Sequence, residues 1–197
     1  MGNEKTIPGY WRDLATQLTN EELIAYSQNG VGGAIREILK DSFTEITKQL
    51  PSDCVEVGAL FAPLAFELPY QVSRVLFLDP AYKIRRPQFN TKIPYELSTL
   101  QLPDGIQQIT QWLQGETLLI LGSVVNYLAR ETVSRLIRDS NITEVIVGNN
   151  FQAGFGEKHE SRIRTPRDLQ GLFLENGFKE QPNVFHTDVT VVGIFSR

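Results

Sequence analysis

The residues best suited to chemistry lie in a turn around Gly58 and at the acidic residue Asp79. The apolar segment 54–57 contains Glu56 and leads into Gly58, and the apolar segment 75–78 leads into Asp79. An apolar strand that ends at a glycine turn, followed by a second strand that ends in an acidic residue, is typical of α/β proteins that hold a nucleotide cofactor with backbone N–H groups and a carboxylate. The pattern predicts a nucleotide-cofactor site at these two strand ends.

The glycine turn is incomplete, because Leu60 and Ala62 stand where the second and third glycines of a full phosphate-binding turn are expected. The middle glycine lets the backbone approach a ligand closely, so the Leu60 side chain either enters that space or points into the following helix. Ala62 is a milder change, since a small residue still lets a helix pack closely on a strand. These departures leave the affinity for a cofactor open and do not alter the expected fold.

Composition predicts one globular α/β domain. The chain has 197 residues, of which 41% are hydrophobic and 21% are charged, with a net charge of -4. These values indicate an ample core, and the short, scattered basic clusters favour no nucleic-acid partner. With Cys54 as the single cysteine, neither an intrachain disulfide nor a cysteine-based zinc site can form, and we expect no metal. No segment is long and apolar enough to span a membrane and the start has no apolar signal core, so a cytoplasmic location without membrane contact is expected.

Hydrophobic periodicity predicts helices first, and then strands that alternate with helices. Helices are expected at 11–18, 20–27, 34–50, 106–113, 130–138 and 166–176, and strands at 54–57, 75–78, 93–100, 117–121, 144–148, 183–186 and 189–195. The segment 28–33, which contains three glycines, is expected to break the helical pattern as a joint between two helices rather than to form a phosphate loop, since no strand precedes it. The last two strands are too close in sequence for a crossover and must therefore be antiparallel.

The predicted fold class is α/β, with a three-layer Rossmann-like sheet of about seven strands, mostly parallel and with an antiparallel C-terminal hairpin strand. Residues 1–50 are expected to form an N-terminal helical extension, and residues 51–197 a single globular unit. This order of elements resembles the class I, Rossmann-like S-adenosylmethionine-dependent methyltransferases. In that family the sheet ends with an antiparallel hairpin strand, commonly preceded by a helix and a Gly-Phe pair, as in the segment 172–178 here.

The resemblance covers residues 54–197 and implies a function. It implies S-adenosylmethionine as the cofactor, S-adenosylhomocysteine as the product, and in-line methyl transfer to a small-molecule acceptor. In such enzymes a helical extension often covers the cofactor, which is the role implied for residues 1–50. The sequence predicts no oligomeric state.

The resemblance also assigns residues to the cofactor. Glu56 and Gly58 correspond to the start of the turn that holds the methionine part, and Asp79 corresponds to the carboxylate that accepts both ribose hydroxyls, as an ionised carboxylate can. The alternative for Asp79 is a cap on the loop that begins at Pro80. The residues implied to lie beside the cofactor are Glu56, Gly58, Ala59, Leu60, Asp79, Pro80, Ser98, Thr99, Gly122 and Ser123.

Three residues are candidates on the acceptor side. Asn126 and Tyr127 follow the strand that lines the acceptor in the family, and they either face the acceptor or start the next helix and fill the core. His159 is the only histidine on a probable site loop, where it is either a general base or an exposed loop residue. The Asp/Asn-Pro-Pro-Tyr signature of enzymes that methylate nucleic-acid amino groups is absent, so no DNA or RNA base is expected.

Two other functions stay open at this point. A catalytically inactive, methyltransferase-like binding module is supported mainly by Leu60. An NAD(P)-binding enzyme is less favoured, because the missing second and third glycines remove the seat for a pyrophosphate.

Overall fold

A computed structural model describes residues 9–44, 51–68, 72–139, 141–151, 163–181 and 185–197. The α-helices are α1 (Gly9–Gln17), α2 (Asn20–Gln28), α3 (Gly30–Thr44), α4 (Ile106–Trp112), α5 (Arg130–Ile137) and α6 (Pro166–Glu175). The strands are β1 (Asp53–Val57), β2 (Arg74–Leu78), β3 (Tyr95–Ser98), β4 (Thr117–Gly122), β5 (Ile142–Asn150), β6 (Lys179–Glu180), β7 (Phe185–His186) and β8 (Thr190–Ser196). Short 3-10 helices span Leu64–Phe66, Pro80–Lys83 and Val125–Tyr127.

The strands form one sheet in the order β3-β2-β1-β4-β5-β8-β6, and β7 also pairs with β8. Strands β1 to β5 pair with one another in parallel, whereas β8 is antiparallel to β5, β6 and β7. The predicted fold class, a mostly parallel sheet with an antiparallel C-terminal strand, is confirmed. The additional strand is β6, whose two exposed charged residues carry no apolar pattern that could have predicted it.

Continuous apolar strands build a core on both faces of the sheet, as expected for parallel strands covered on each side. On one face Val55, Leu119 and Val145 pack with residues of α4, α5 and α6. On the other face Cys54 and Ile146 pack with residues of α3. Cys54 is fully buried, and this burial raises the pKa of its thiol well above the ordinary value.

The short helix expected directly after the Gly58 turn is only the 3-10 turn Leu64–Phe66. The prolines at 63 and 69 explain this difference, because proline removes an N–H donor and disfavours helical geometry in the residue before it. Among the residues described between β1 and β2, which are 58–68, 72 and 73, no α-helix N-terminus is presented to a ligand.

The helical pattern breaks within the predicted segment 28–33, but residues 30–33 form the first turn of α3, so the break is shorter than predicted. The break is at Asn29, whose backbone is extended between α2 and α3. A Cβ at Gly33 would lie 2.1 Å from the Gln28 carbonyl oxygen, so only glycine lets the end of α2 pack this closely on α3.

Helix α3 lies directly on β5. A Cβ at Gly148 would be 2.3 Å from Ile35 Cγ2 and 3.0 Å from Leu39 Cδ1, so the missing side chain is what allows this close approach. The packing holds the next residue of α3, Arg36, near the carboxyl edge of the sheet. The division of the chain at residue 50 stays a prediction. In the described part of the chain, no helix combines the length and apolar character that a membrane crossing needs.

Candidate functional site

A cavity of about 430 Å³ lies at the carboxyl ends of β1, β2, β4 and β5, where it is bounded by residues of α2 and α3. Its volume is in the range of sites for small ligands and cofactors. The sequence-predicted residues on its wall are Glu56, Gly58, Ala59, Leu60, Asp79, Pro80, Gly122, Ser123, Asn126 and Tyr127. Because parallel strands end at one edge of the sheet, residues distant in sequence meet there.

Ser98 and Thr99 are not on this cavity, contrary to the expectation. The Ser98 side chain is buried and its hydroxyl donates a hydrogen bond to Gln108 Oε1. The chain reaches the cavity only at Leu100, Gln101 and Leu102. The predicted strand at 93–100 is shorter in the structure, since β3 ends at Ser98, and the chain lines the cavity only after this strand end. His159 lies outside the described residues.

Gly58 forms a left-handed turn with φ of +76°, which glycine adopts without strain. A Cβ on Gly58 would lie 3.0 Å from both Cβ and Cγ2 of Val124, which follows β4. Glycine is therefore required here both by backbone conformation and by the close approach of the two strand-end loops.

Asp79 connects the two loops through backbone hydrogen bonds. Its Oδ2 accepts from Leu60 N at 2.9 Å and its Oδ1 accepts from Ala81 N at 2.9 Å. Burial raises the pKa of Asp79 to about 6, although both backbone bonds lower it. Asp79 therefore caps the loop that begins at Pro80, as one of the two interpretations of this residue predicted. Each carboxylate oxygen keeps a second acceptor position, so contact with ribose hydroxyls stays a prediction.

The Leu60 side chain packs inward. It is 7% exposed and belongs to a small apolar cluster with Ala15 of α1, Leu23 of α2, Phe61 and Ala81. Its backbone has a left-handed φ of +47° and is held on both sides, since Tyr82 Oη donates to Leu60 O at 2.8 Å. Leu60 therefore attaches the turn to the N-terminal helices.

A buried charged group at the cavity was not predicted from the sequence. Arg36 of α3 is 8% exposed, lines the cavity, and forms an ion pair through Nη2 with Glu67 Oε1. Among the described residues, no hydrogen-bond partner is within reach of its buried Nε. A possible sequence signal was an arginine between Ile35 and Leu39 on the apolar side of a helix.

Glu56 lies on the same wall. Its Oε1 accepts from Leu64 N and its Oε2 from Ala65 N, both at 2.9 Å. Burial raises the pKa of Glu56 to about 7, against the lowering effect of these two bonds and of Arg36. Glu56 therefore organises the chain after the Gly58 turn.

Three amides line the far side of the cavity. Asn126 Nδ2 donates to the backbone oxygen of Asn150 at 2.9 Å, and Asn149 Nδ2 donates to Asn126 Oδ1 at 2.9 Å. Asn149 is completely buried. The predicted strand at 144–148 stops short of Asn149 and Asn150, whereas they are the last two residues of β5.

No protein-family model matches the sequence, and no curated protein sequence does. Solved structures match along most of the chain. An S-adenosylmethionine-dependent methyltransferase from Leishmania major is 14% identical with a TM-score of 0.59, over 99% of this chain and 84% of that one. Magnesium protoporphyrin IX methyltransferase from Synechocystis PCC 6803, solved with bound S-adenosylmethionine, is 12% identical with a TM-score of 0.54, over 100% of both chains.

An rRNA methylase from Escherichia coli is 10% identical with a TM-score of 0.55, over 98% of this chain and 77% of that one. The chain has the class I S-adenosylmethionine-dependent methyltransferase fold. The expectation of no nucleic-acid partner is wrong, because proteins with this fold include an rRNA methylase. Mild net charge and a missing signature do not exclude such a partner.

Proposed function

We propose that this protein binds S-adenosylmethionine in the 430 Å³ cavity and transfers its methyl group to a small-molecule acceptor. The observation that carries the proposal is the position of the cavity. It lies where β1 and β2 end, beside the left-handed Gly58 turn and the buried carboxylate of Asp79, in a chain with the methyltransferase fold. A concave and mostly apolar cavity suits a small acceptor.

The residues on the wall fit the cofactor. Asp79 has acceptor positions for the ribose hydroxyls, and the left-handed Gly58 turn lies on the same cavity wall. The unpaired Nε of Arg36 supplies a buried donor for the carboxylate of the methionine part. When bound, the cofactor supplies a methyl group on a sulfonium, which is itself the leaving group.

The residues of the chain contribute mainly orientation and exclusion of water. Both oxygens of Glu56 and both oxygens of Asp79 already accept backbone N–H groups. These carboxylates therefore serve the architecture of the loops rather than proton removal. Alignment of an acceptor lone pair with the methyl group supplies up to about 7–11 kcal/mol in well-oriented reactions.

The alternatives lose support. The inactive-module interpretation depended on Leu60 entering the cofactor space, but this side chain packs with Ala15 and Leu23. The NAD(P) interpretation needs a helix N-terminus after β1 for the pyrophosphate, and the described chain has only Leu64–Phe66 in a 3-10 turn there.

Thermal unfolding with S-adenosylhomocysteine tests cofactor binding. At about 100 times its dissociation constant, the ligand should stabilise the folded protein by roughly 2.7 kcal/mol. This corresponds to a rise in Tm of roughly 5–10 °C for a chain of this size. NAD at the same concentration should have no effect. The absence of a shift with S-adenosylhomocysteine would refute the proposed cofactor.

Transfer of a radiolabelled methyl group from S-adenosylmethionine tests the acceptor. The protein is incubated with two fractions of a cell extract. One contains the small molecules that pass an ultrafiltration membrane, and the other is total RNA purified from the retained material. Label in the small-molecule fraction is the expected result. Label in the RNA fraction alone would show that the acceptor is a nucleic acid and would reject the small-molecule proposal.

A further inference from the structure

The side-chain amides of Asn149 and Asn126 and the backbone carbonyl of Asn150 form a chain of hydrogen bonds. The carbonyl at its end sets which group donates in each bond. The backbone oxygen of Asn150 can only accept, so the Asn126 group facing it at 2.9 Å must be Nδ2. Asn126 Oδ1 then faces Asn149, and the Asn149 group 2.9 Å away must also be Nδ2. The hydrogen bonds therefore determine the orientation of both side-chain amides without reference to how amide oxygen and nitrogen are assigned.

This orientation leaves Asn149 Oδ1 as an acceptor. The residue is 0% exposed and lines the cavity, and no donor among the described residues reaches this oxygen. Buried polar atoms in folded proteins are nearly always paired, so an unpaired buried oxygen at a cavity indicates a partner that the ligand supplies.

Asn149 is also distant from Asp79, the residue proposed to hold the ribose, and lies beside Gly122 and Ser123 at the end of β4, where the transferred methyl group is expected. β5 is separated from β2 by β1 and β4, which puts Asn149 about 14 Å from Asp79 across the sheet at the usual strand spacing. Alternation along β5 places the Asn149 side chain on the same face as Val145 and Val147, under α4 to α6. Arg36 belongs to α3, which covers the opposite face. Asn149 therefore belongs to the end of the cavity that remains for an acceptor.

We infer that Asn149 selects the methyl acceptor by accepting a hydrogen bond from an amine N–H of a small molecule. This inference rests on the proposed function. An amide oxygen can hold an N–H group but cannot remove a proton as a general base does, and neither Glu56 nor Asp79 is a neighbour of Asn149. A hydroxyl acceptor would need such a base, whereas a neutral amine already has a free lone pair.

The reaction balances without a further reagent. The amine lone pair forms the new N–C bond while the C–S bond breaks. The electron pair of the broken C–S bond stays on sulfur, which becomes the thioether of S-adenosylhomocysteine. The methylated nitrogen carries the positive charge and releases a proton to solvent. Asn149 holds the N–H throughout and directs the lone pair towards the methyl group, and Asn126 is the positioning residue that orients Asn149.

Paired probes test the inference. The protein is saturated with S-adenosylhomocysteine, and binding of aniline is compared with N,N-dimethylaniline, and imidazole with 1-methylimidazole, by saturation-transfer NMR titration. The wild type should bind the N–H member of each pair about tenfold more tightly, the effect of one hydrogen bond. Asn149→Ala should abolish this preference. Asn149→Leu, which fills the space, gives the same comparison if the alanine variant does not fold.

Asn176→Ala is the matched control, because the Asn176 amide donates to Leu172 O at the end of α6, away from the cavity. It should keep the preference for N–H probes. The lack of such a preference in the wild type, whether both probes bind or neither does, would overturn the inference. So would its persistence in the Asn149 variants.

Calorimetry with S-adenosylhomocysteine separates the two proposals. Failure of the wild type to bind this ligand would reject the proposed function itself. If the wild type binds and an Asn149 variant loses affinity for S-adenosylhomocysteine, the oxygen pairs with the cofactor and the inference about the acceptor is wrong. Unchanged affinity in the variants is the expected result.

Discussion

Replacing Leu60 by glycine or by alanine separates two roles of this residue. Its side chain is buried with Ala15 and Leu23, while its backbone is left-handed with φ of +47°. Both substitutions remove the buried side chain, but only glycine relieves the backbone strain. The comparison therefore measures each contribution to the free energy of unfolding.

The side chain dominates the stability change. Truncation of a buried leucine to alanine costs about 2–5 kcal/mol. Because the cluster around Leu60 is small, we expect Leu60→Ala to lower the free energy of unfolding by about 3 kcal/mol. Left-handed geometry costs an L-residue about 1–2 kcal/mol that glycine avoids. At ordinary positions glycine is less stable than alanine by about 0.5–1 kcal/mol. At position 60 we expect the reverse order, with Leu60→Gly more stable than Leu60→Ala by about 1 kcal/mol.

Urea denaturation of the wild type and both variants checks these values, and calorimetry with S-adenosylhomocysteine checks the site. Neither variant should bind the ligand more tightly than the wild type, because the Leu60 side chain is already buried in the cluster with Ala15 and Leu23. Tighter binding by Leu60→Gly would show that the side chain does obstruct the cofactor. A glycine variant less stable than the alanine variant would contradict the argument from φ.

Two further predictions concern Glu56 and the glycines of the fold. The pKa of Glu56 is raised from 4.5 to about 7, so its contribution to stability is complete below about pH 4.5 and is lost as pH rises through 7, a change of about 3 kcal/mol. Glu56→Gln should reduce the loss of unfolding free energy between pH 5 and pH 8, as measured by urea denaturation at both pH values. An unchanged loss would show that other groups cause it. Gly148→Ala should destabilise the protein by about 1–3 kcal/mol and weaken S-adenosylhomocysteine binding, because the new Cβ would lie 2.3 Å from Ile35 Cγ2 on the helix that carries Arg36. Gly171→Ala is the contrasting variant, since no neighbouring atom lies within 4 Å, and in the interior of α6 it should stabilise by about 0.5–1 kcal/mol. Wild-type stability in Gly148→Ala would show that α3 does not depend on this contact.

Much of the fold follows from local pattern. The continuous apolar segments at 54–57, 75–78, 117–121 and 144–148 predict strands covered on both faces, and each corresponds to a strand of the parallel sheet. Strands that run parallel end at one edge, so Gly58 and Asp79 could be placed together from their positions after two strands. The absence of an α-helix directly after the Gly58 turn also has a local cause, because Pro63 and Pro69 disfavour helical geometry, although other α/β turns of this kind lead into a helix.

The sequence by itself determined the parallel strands of the sheet, its antiparallel final strand and the cavity wall contributed by the ends of β1 and β2. The physical reason is that periodicity and connection length are properties of neighbouring residues. Only the tertiary structure decided the inward packing of Leu60, the position of Arg36 and the amide chain of Asn126 and Asn149. These depend on contacts between distant segments, such as the hydrogen bond that joins residues 23 positions apart and the close approach of α3 to Gly148. No spacing along the chain encodes such contacts, because they form only when the core brings the elements together.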